Sequence, residues 1–267
     1  MSKRICVIRM AFLPYMIPPE RQFVDGLAAR GYEVTVIKAR ARDRNKREED
    51  RPGMRNLIVD CWMRRLPKTS LSGPLVFLEF MIRSFFLALW QRPHLVVAID
   101  VDTLPQAWLL SRLSGAKLLY YSIELYAERP GFRPAWFWIG LERLLINTPD
   151  LTVACEPNRA RVMVEKYGAK TLPMVIQNVP PFEEPRRTSK IQEWLAAQLP
   201  PDSPLAAMPP EQWKIVYYMG ELKRARCTDE FIEAAKTFAP GIVLFFIGPI
   251  ETGYDPRAKI AACGVGD

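Results

Sequence analysis

Val96–Tyr126 decides the fold, and its sequence is VVAIDVDTLPQAWLLSRLSGAKLLYYSIELY. Two short apolar runs, Leu95–Ile99 and Leu118–Tyr121, lie on either side of a segment with helical signals. That segment begins with Thr103, a predicted N-cap, and ends at Gly115, a residue type common after the last turn of a helix. Parallel strands that are buried on both faces read as continuous apolar runs. The stretch therefore predicts strand, helix and strand in an α/β fold with a parallel sheet.

Polar side chains follow each apolar run directly. Asp100 and Asp102 come after the first run, and Ser122 and Glu124 come after the second. In open parallel sheets, ligands bind beyond the carboxyl ends of the strands. We therefore predict these four residues as candidate site residues, with the alternative that they only cap helices and form loops.

Composition and charge limit the partners and the cellular compartment that are expected for this protein. The chain has 267 residues, 49% of them hydrophobic, and a net charge of +8. The basic excess is concentrated in Lys38–Lys68, which predicts a solvated loop or a contact with an anionic membrane or a phosphate-rich ligand. Nucleic acid is not expected as a partner, because this segment lacks regular aromatic interleaving. The cysteines show neither metal-ligand nor disulfide spacing, which is typical of reduced thiols in a cytosolic protein.

The order of elements predicts two domains. Arg4–Met10 is predicted as a first strand, and not as a targeting segment, because Arg9 interrupts its apolar run. The loop after it, Ala11–Pro19, contains no glycine, so no nicotinamide or flavin cofactor is expected. Prolines then cluster between Pro180 and Pro210. We predict a first domain at 1–181, a linker at 182–211 and a second, two-stranded domain at 212–267.

Two helical segments are unusually apolar. Leu75–Trp90 is apolar nearly all round and carries Glu79 and Arg83, which are spaced to pair with each other. It is predicted either to lie in the core or to contact a bilayer surface, and it is short for a membrane span. Pro134–Ile146 contains Trp136–Trp138, three large rings in a row that cannot all face one core. Part of this second set is expected to be exposed.

Several stretches together resemble the retaining family-4 (group 1) glycosyltransferases of the two-domain GT-B fold. The resemblance extends over nearly the whole chain and rests on the order and spacing of motifs that are individually weak. These motifs are Val97–Leu104, Tyr120–Tyr126, Leu151–Cys155, Val175–Pro180, Tyr217–Ala234 and Ile242–Gly248.

The resemblance implies two Rossmann-like doubly wound domains, an acceptor-side domain followed by an incomplete donor domain. It implies transfer of a sugar from a nucleotide-sugar donor to a glycan or lipid-linked acceptor in surface polysaccharide or glycolipid assembly. No cofactor and no metal are expected, and the implied location is the cytoplasm, peripherally at the inner face of the membrane. The residues implied as catalytic are Asp100, Asp102 and Glu124. Those implied to bind substrate are Arg21, Ser122, Asn178, Gly220, Lys223, Arg224 and Arg226.

Departures from the family pattern leave a second interpretation open. Ile99 and Ile123 stand where relatives often carry histidine, and Glu221 stands where arginine is usual. The family's Glu-x7-Glu segment is absent, so we expect a truncated chain that does not turn over a nucleotide sugar alone. The three bases Lys223, Arg224 and Arg226 could equally form a solvated turn. The alternative function is a non-catalytic glycosyltransferase remnant that binds a membrane or a protein partner.

Overall fold

A computed structural model of the chain describes residues 3–11, 16–40, 50–65, 67, 72–125, 134–179, 182, 184, 188–200 and 203–266. The chain divides into two compact units, Met1–Pro181 and Phe182–Asp267. Both have parallel strands, with a seven-stranded sheet in the first unit and a two-stranded sheet in the second. The α/β class and the incomplete second sheet predicted from the sequence are confirmed.

The first unit is a parallel sheet in the order β3-β2-β1-β4-β5-β6-β7. Its strands are β1 (Arg4–Arg9), β2 (Glu33–Ala39), β3 (Met54–Val59), β4 (Leu95–Ile99), β5 (Lys117–Ser122), β6 (Leu151–Ala154) and β7 (Met174–Val175). Its helices are α1 (Pro18–Ala29), α2 (Ser72–Trp90), α3 (Leu104–Ser114), α4 (Ala135–Leu145) and α5 (Pro157–Glu165). The sheet order reverses at β1, so β1 and β4 lie side by side at the switch point of the fold.

Helices cover both faces of this sheet, which explains the long apolar runs of its strands. The helices α2 to α5 pack on one face around Phe80, Leu104 and Tyr120. On the other face, α1 packs through Val24 against a cluster that includes Tyr121. Successive residues of β5 therefore lie in opposite cores, as the alternation of a strand requires.

Helix α2 has one buried face and one exposed apolar face, so it lies only partly in the core. Val76, Phe80, Ser84 and Ala88 are spaced four residues apart and form its buried stripe. Its outer face is apolar but exposed, and we call the residues of that face the α2 ridge: Leu75, Leu78, Ile82, Phe86 and Trp90. The predicted pair of Glu79 and Arg83 is present at 3.1 Å.

Within the described residues, α2 is the one helix whose length and composition suffice to cross a membrane. It begins three residues earlier than predicted and has 19 residues. In α4, Trp136 is 75% exposed, whereas Trp138 is buried and makes an edge-on contact with Phe77 at 5.7 Å. The expected partial exposure of this aromatic set is confirmed.

The second unit contains β8 (Lys214–Met219) and β9 (Ile242–Ile247), with helices α6 (Lys190–Ala196), α7 (Thr228–Ala234) and α8 (Pro256–Cys263). The structure differs from the predicted linker at 182–211, because α6 forms there and its Trp194 contacts the ring of Phe245 at 5.8 Å. Sequence composition missed this because the prolines flank the helix and do not interrupt it. Apolar side chains of β8 remain exposed, among them Tyr217 and Met219.

The carboxyl ends of β8 and β9 approach each other at two glycines. The amide of Gly220 donates to the carbonyl of Ile247 at 2.9 Å. A Cβ atom on Gly248 would lie 1.9 Å from the carbonyl oxygen of Gly220, which is far inside van der Waals contact. The turn after β9 therefore requires a residue without a side chain.

Candidate active site at the carboxyl ends of the strands

Asp100 joins the ends of the two central strands β4 and β5. Its amide donates to the carbonyl of Tyr121 at 3.0 Å. Its Oδ1 accepts the amides of Ile123 at 2.8 Å and of Glu124 at 2.9 Å. Asp100 therefore has a structural role, because its carboxylate holds the chain that leaves β5.

The backbone of Asp100 is strained. Its φ is 63° and its ψ is 166°, a region that residues other than glycine rarely occupy and that costs on the order of 1–3 kcal/mol. Such conformations persist where the surrounding structure over-determines them, and they cluster at functional sites. The two amide bonds of the carboxylate and the ladder bond of the Asp100 amide supply that constraint here.

The surroundings of Asp100 stabilise its protonated carboxyl, relative to the carboxylate, more than water does. The residue is 7% exposed, and burial raises its pKa to about 6. The two amide hydrogen bonds and the positive charge of Arg9 act in the opposite direction. Arg9 lies at the end of β1 and forms an ion pair with the buried Glu20 of α1. A basic and an acidic group thus accompany Asp100 at the switch point.

Asp102 and Thr103 lie in a short 3-10 helix, Val101–Thr103, and both are buried. The hydroxyl of Thr103 donates to the carbonyl of Ile99 at 2.8 Å and makes no capping bond to α3. Thr103 is the N-cap residue of α3, as predicted, but its side chain does not cap the helix because the hydroxyl turns back to the end of β4. Asp102 is 5% exposed, so its carboxylate lies inside the protein and not at an open surface.

Ser122 and Glu124 leave β5 in different environments. Ser122 is buried, and its hydroxyl lies 3.4 Å from the carbonyl of Glu124. Glu124 is exposed, unlike the other two carboxylates predicted as catalytic, Asp100 and Asp102. Its position is set by the bond from its amide to Asp100. Glu124 is therefore the solvent-accessible one of the three carboxylates predicted as catalytic.

Two further predicted residues lie near this edge of the sheet. Asn178 follows β7 and accepts a hydrogen bond from the hydroxyl of Tyr121 at 3.2 Å, which connects it to the end of β5. Arg21 lies in the first turns of α1, and its guanidinium is 3.6 Å from Asp25 one turn later. The structure therefore brings Asn178 to the β5 exit, while the charge of Arg21 is engaged along its own helix.

The predicted donor-side residues belong to the second unit, where acidic neighbours accompany the bases. Lys223 donates to Glu221 at 2.5 Å, and this bond lowers the pKa of the Glu221 carboxyl. Arg224 lies 3.6 Å from Asp229, and Arg226 is exposed. Gly220 lies at the end of β8 just before this turn. The hydroxyl of Thr228 fixes the turn, because it donates to the carbonyl of Lys223 at 2.9 Å and accepts its amide at 3.1 Å.

A family model described as a glycosyl transferase 4-like domain matches residues 21–179. The chain belongs to this glycosyltransferase family. The matched segment contains Asp100, Ser122, Glu124 and Asn178, so the strand exits described above lie within the family domain. No curated protein matches the chain in sequence.

Solved structures of glycosyltransferases share the fold. Sucrose-phosphate synthase from Thermosynechococcus elongatus superposes with a TM-score of 0.71 at 14% identity, covering 99% of this chain and 69% of that one. HepE from Anabaena, solved with UDP and glucose, has a TM-score of 0.64 at 14% identity, with coverages of 99% and 67%. A lipopolysaccharide outer core galactosyltransferase, WaaB, has a TM-score of 0.55 at 14% identity, with coverages of 98% and 65%. These likenesses establish the GT-B type of fold.

In this glycosyltransferase family member, sequence reasoning missed the residues that support the β5 exit from α5. Arg159 donates to the carbonyl of Ile123 and to the Sγ of Cys155, the latter at 3.0 Å. The thiol of Cys155 also donates to that carbonyl, at 3.1 Å. Nothing in the local pattern around Arg159 marks it, because its partners lie on other strand exits. Arg9 did carry a signal, since it interrupts an otherwise apolar strand.

A buried polar pair lies beside the site on the opposite side of β5 from Tyr121. The hydroxyl of Tyr120 donates to Glu142 of α4 at 2.7 Å, and both side chains are at most 1% exposed. Burial, opposed by the hydrogen bond from Tyr120 and assisted by the charge of Asp100, raises the pKa of the Glu142 carboxyl to about 7. The glycosyltransferase core therefore holds two carboxyls, Asp100 and Glu142, whose pKa values are raised by burial.

Substituting Asp100 by Ala and by Gly tests the strained backbone. Both variants lose the two amide bonds, but only Ala keeps a Cβ atom at φ 63° and ψ 166°. We expect Asp100→Ala to have a lower free energy of unfolding than Asp100→Gly by about 1–3 kcal/mol in urea. At an ordinary backbone position glycine is the less stable residue by about 0.5–1 kcal/mol. An alanine variant at least as stable as the glycine variant would contradict the strain.

The pH dependence of stability tests the Tyr120–Glu142 pair. The Glu142 carboxyl has a pKa of about 7 in the folded chain against an ordinary value of 4.5, so the folded state keeps a proton that the unfolded chain releases. Its contribution to the free energy of unfolding is complete below pH 4.5 and is lost as the pH rises through about 7.

Glu142→Gln keeps an oxygen for the Tyr120 hydroxyl and removes the titration. In urea unfolding, we expect Glu142→Gln to lose less stability than the parent between about pH 5 and pH 8. At pH 8 its free energy of unfolding should exceed that of the parent by on the order of 1 kcal/mol. The matched control is Glu165→Gln on the exposed surface of α5, which should keep the parent's pH dependence. Equal pH dependence for Glu142→Gln and the parent would show that Glu142 does not titrate in this range.

Proposed function

We propose that this chain is a retaining hexosyltransferase that moves a sugar from a nucleoside diphosphate sugar to a glycan or lipid-linked acceptor in surface polysaccharide or glycolipid assembly. The observation that carries the proposal is the strained, amide-binding Asp100, which presents the exposed Glu124 at the β5 exit inside the family-matched segment. Strain that is held at a strand exit next to an accessible carboxylate is typical of a built site.

The proposed roles follow from the placement of the residues. Glu124 accepts a hydrogen bond from an acceptor hydroxyl and orients it, and Asn178 lies close enough to the β5 exit to contact the same molecule. On the donor side, Arg226, Lys223 and Arg224 stabilise the diphosphate leaving group. A donor phosphate oxygen takes the proton of the attacking hydroxyl in a front-face reaction, so the absence of histidine at Ile99 and Ile123 does not remove the chemistry.

The relatives of similar fold support the substrate classes. HepE was solved with UDP and glucose, and WaaB is a galactosyltransferase of the lipopolysaccharide outer core. We infer by analogy a uridine diphosphate sugar as donor and an amphiphilic glycolipid as acceptor. An amphiphilic acceptor lies at a membrane surface, which fits the exposed apolar side chains of α2 and α4.

The α2 ridge and Trp136 are proposed to contact an anionic membrane at its cytoplasmic face. The ridge is a contiguous exposed apolar row, and arginines lie at both of its ends: Arg64 and Arg65 before α2, and Arg92 after it. Apolar side chains inserted at the headgroup level beside basic residues are the usual composition of a peripheral membrane contact. Lys68, a further base of this segment, lies outside the described residues.

One observation favours the second candidate, a non-catalytic remnant that binds a membrane or a partner. Glu221 engages Lys223, and Asp229 engages Arg224, so two of the three proposed phosphate-binding bases have carboxylate partners. A diphosphate must compete with these carboxylates for the bases. The two candidates therefore differ in whether a nucleotide sugar binds and reacts.

Transfer itself is tested in a version of the chain that carries a full donor domain, by the release of nucleoside diphosphate from uridine, guanosine and thymidine diphosphate sugars in the presence of a membrane lipid extract. Glu124→Gln should lower kcat by about 10–100-fold, the value of a hydrogen bond to a charged group. The control Glu165→Gln removes an exposed carboxylate elsewhere in the unit and should retain the parent rate. Absence of release with every donor would favour the non-catalytic candidate, and a Glu124→Gln rate within twofold of the parent would remove Glu124 from the site.

Donor binding is tested by calorimetric titration with UDP-glucose. Because Glu221 competes for Lys223, we expect the parent to bind no tighter than about millimolar, near −4 kcal/mol. Glu221→Gln should tighten binding by about 5–10-fold, since an exposed ion pair is worth up to about 1 kcal/mol and a repulsive charge is also removed. Glu230→Gln, on the exposed side of α7, is the control. Equal affinity of the parent and Glu221→Gln would show that Glu221 does not control the phosphate site.

A further inference from the structure

A second concave surface lies at the amino-terminal end of the sheet, opposite the edge that carries Asp100. It is a cavity of about 530 Å³ between the edge strand β3, the start of β1 and the end of α2. Its lining consists of Arg4, Arg55, Leu57, Leu87, Trp90 and Gln91. A neighbouring cavity of about 340 Å³ shares Arg4, Arg55 and Gln91 with it. We call the larger one the Trp90 cavity.

The charge of the Trp90 cavity is positive. Two guanidinium groups line it, and none of the described lining residues is acidic. Arg4 is held in place because its Nε donates to the carbonyl of Arg92 at 3.2 Å, a bond that does not use its terminal amino groups. The acidic Glu33 lies in the neighbouring cavity, together with Arg51, which is paired with Asp25 at 2.7 Å.

The other half of the cavity wall is apolar. Leu57 and Leu87 line it, and the indole of Trp90 is 86% exposed beside it. Trp90 is also the last residue of the α2 ridge, so an exposed apolar row leads directly into the cavity. A site with guanidinium groups on one wall and apolar side chains continuing away from it matches a molecule with an anionic head and a long apolar tail.

We infer that the Trp90 cavity binds the phosphate of an anionic phospholipid, with the acyl chains lying along the α2 ridge. Guanidinium groups suit phosphate oxygens because they offer several donors in one plane. Tryptophan at the end of an apolar helix is enriched at the level of lipid headgroups. A free phosphate would use the arginines but would leave Trp90 and the ridge without a role. The inference rests on the membrane contact of the proposed function and deepens it.

The experiment measures co-sedimentation of the full chain with vesicles of phosphatidylcholine alone and with added phosphatidylglycerol, at low salt. Arg55→Gln should weaken partitioning onto the anionic vesicles about fivefold, the effect of one basic residue near such a surface. Arg55→Lys keeps the charge without the planar fork, so its partitioning should lie between that of the parent and that of Arg55→Gln. The matched control is Arg30→Gln, an exposed arginine at the end of α1 on the opposite face of the sheet, which should bind like the parent.

A soluble short-chain phosphatidylglycerol and inorganic phosphate distinguish the source of the phosphate. We expect the short-chain lipid to change the tryptophan fluorescence of the parent but not of Trp90→Phe, and inorganic phosphate to have no comparable effect at equal concentration. An equal response to inorganic phosphate that is lost in Arg55→Gln would overturn the lipid assignment. Circular dichroism confirms the fold of each variant.

The outcomes separate this inference from the proposed function. If the parent binds anionic vesicles and Arg55→Gln binds as Arg30→Gln does, the cavity assignment fails while the membrane contact stands. If the parent binds no vesicles, both the cavity and the membrane contact fail. Release of nucleoside diphosphate with a soluble acceptor is independent of Arg55, so the transferase proposal is tested separately.

Discussion

The carboxylate of Asp100, which accepts two backbone amides from the neighbouring strand exit, is the interaction on which the candidate site depends. It holds the amides of Ile123 and Glu124, where the chain leaves β5. The same carboxylate compensates the strained backbone that directs the chain into Val101–Thr103 and then α3. One buried acid thus determines both how β4 ends and where β5 presents its polar residues. Its ability to do so follows from the β4–β5 register, in which Ile99 is opposite Tyr121.

The sequence predicted the parts of the fold that depend on burial along one strand or one helix. The apolar runs of β4 and β5, and Gly115 in the left-handed conformation after α3, are properties of neighbouring residues. The hydrogen bonds of Asp100, Arg159 and Glu142 could not be predicted, because each has a partner more than 20 residues away that is set by strand register and helix packing. The family resemblance implied Lys223 as a substrate-binding residue, and its pairing with Glu221 could not be predicted from it.

The two sides and two ends of the first unit's sheet carry different chemistry. Buried carboxyls and hydrogen-bonded polar groups concentrate at the carboxyl ends of the strands, where Asp100 and Ser122 lie. The outer surface of α2 and α4 exposes large apolar side chains, and arginines gather where α2 ends. The amphiphilic acceptor proposed above would use both kinds of surface, because its polar head requires hydrogen-bonding partners and its chains require an apolar contact.

The close approach of Gly248 to Gly220 has a consequence for how the second unit tolerates sequence change. The two positions are unequal, although both are glycines at strand ends. A methyl group at Gly220 would meet the side-chain hydroxyl of Tyr218 at 3.2 Å, whereas one at Gly248 would collide with backbone at 1.9 Å. A side chain can rotate away and a hydrogen-bonded strand cannot. Natural variation at these two turns should therefore be asymmetric, with substitution restricted after β8, where Gly220 has a φ of 158°, and restricted more strictly after β9.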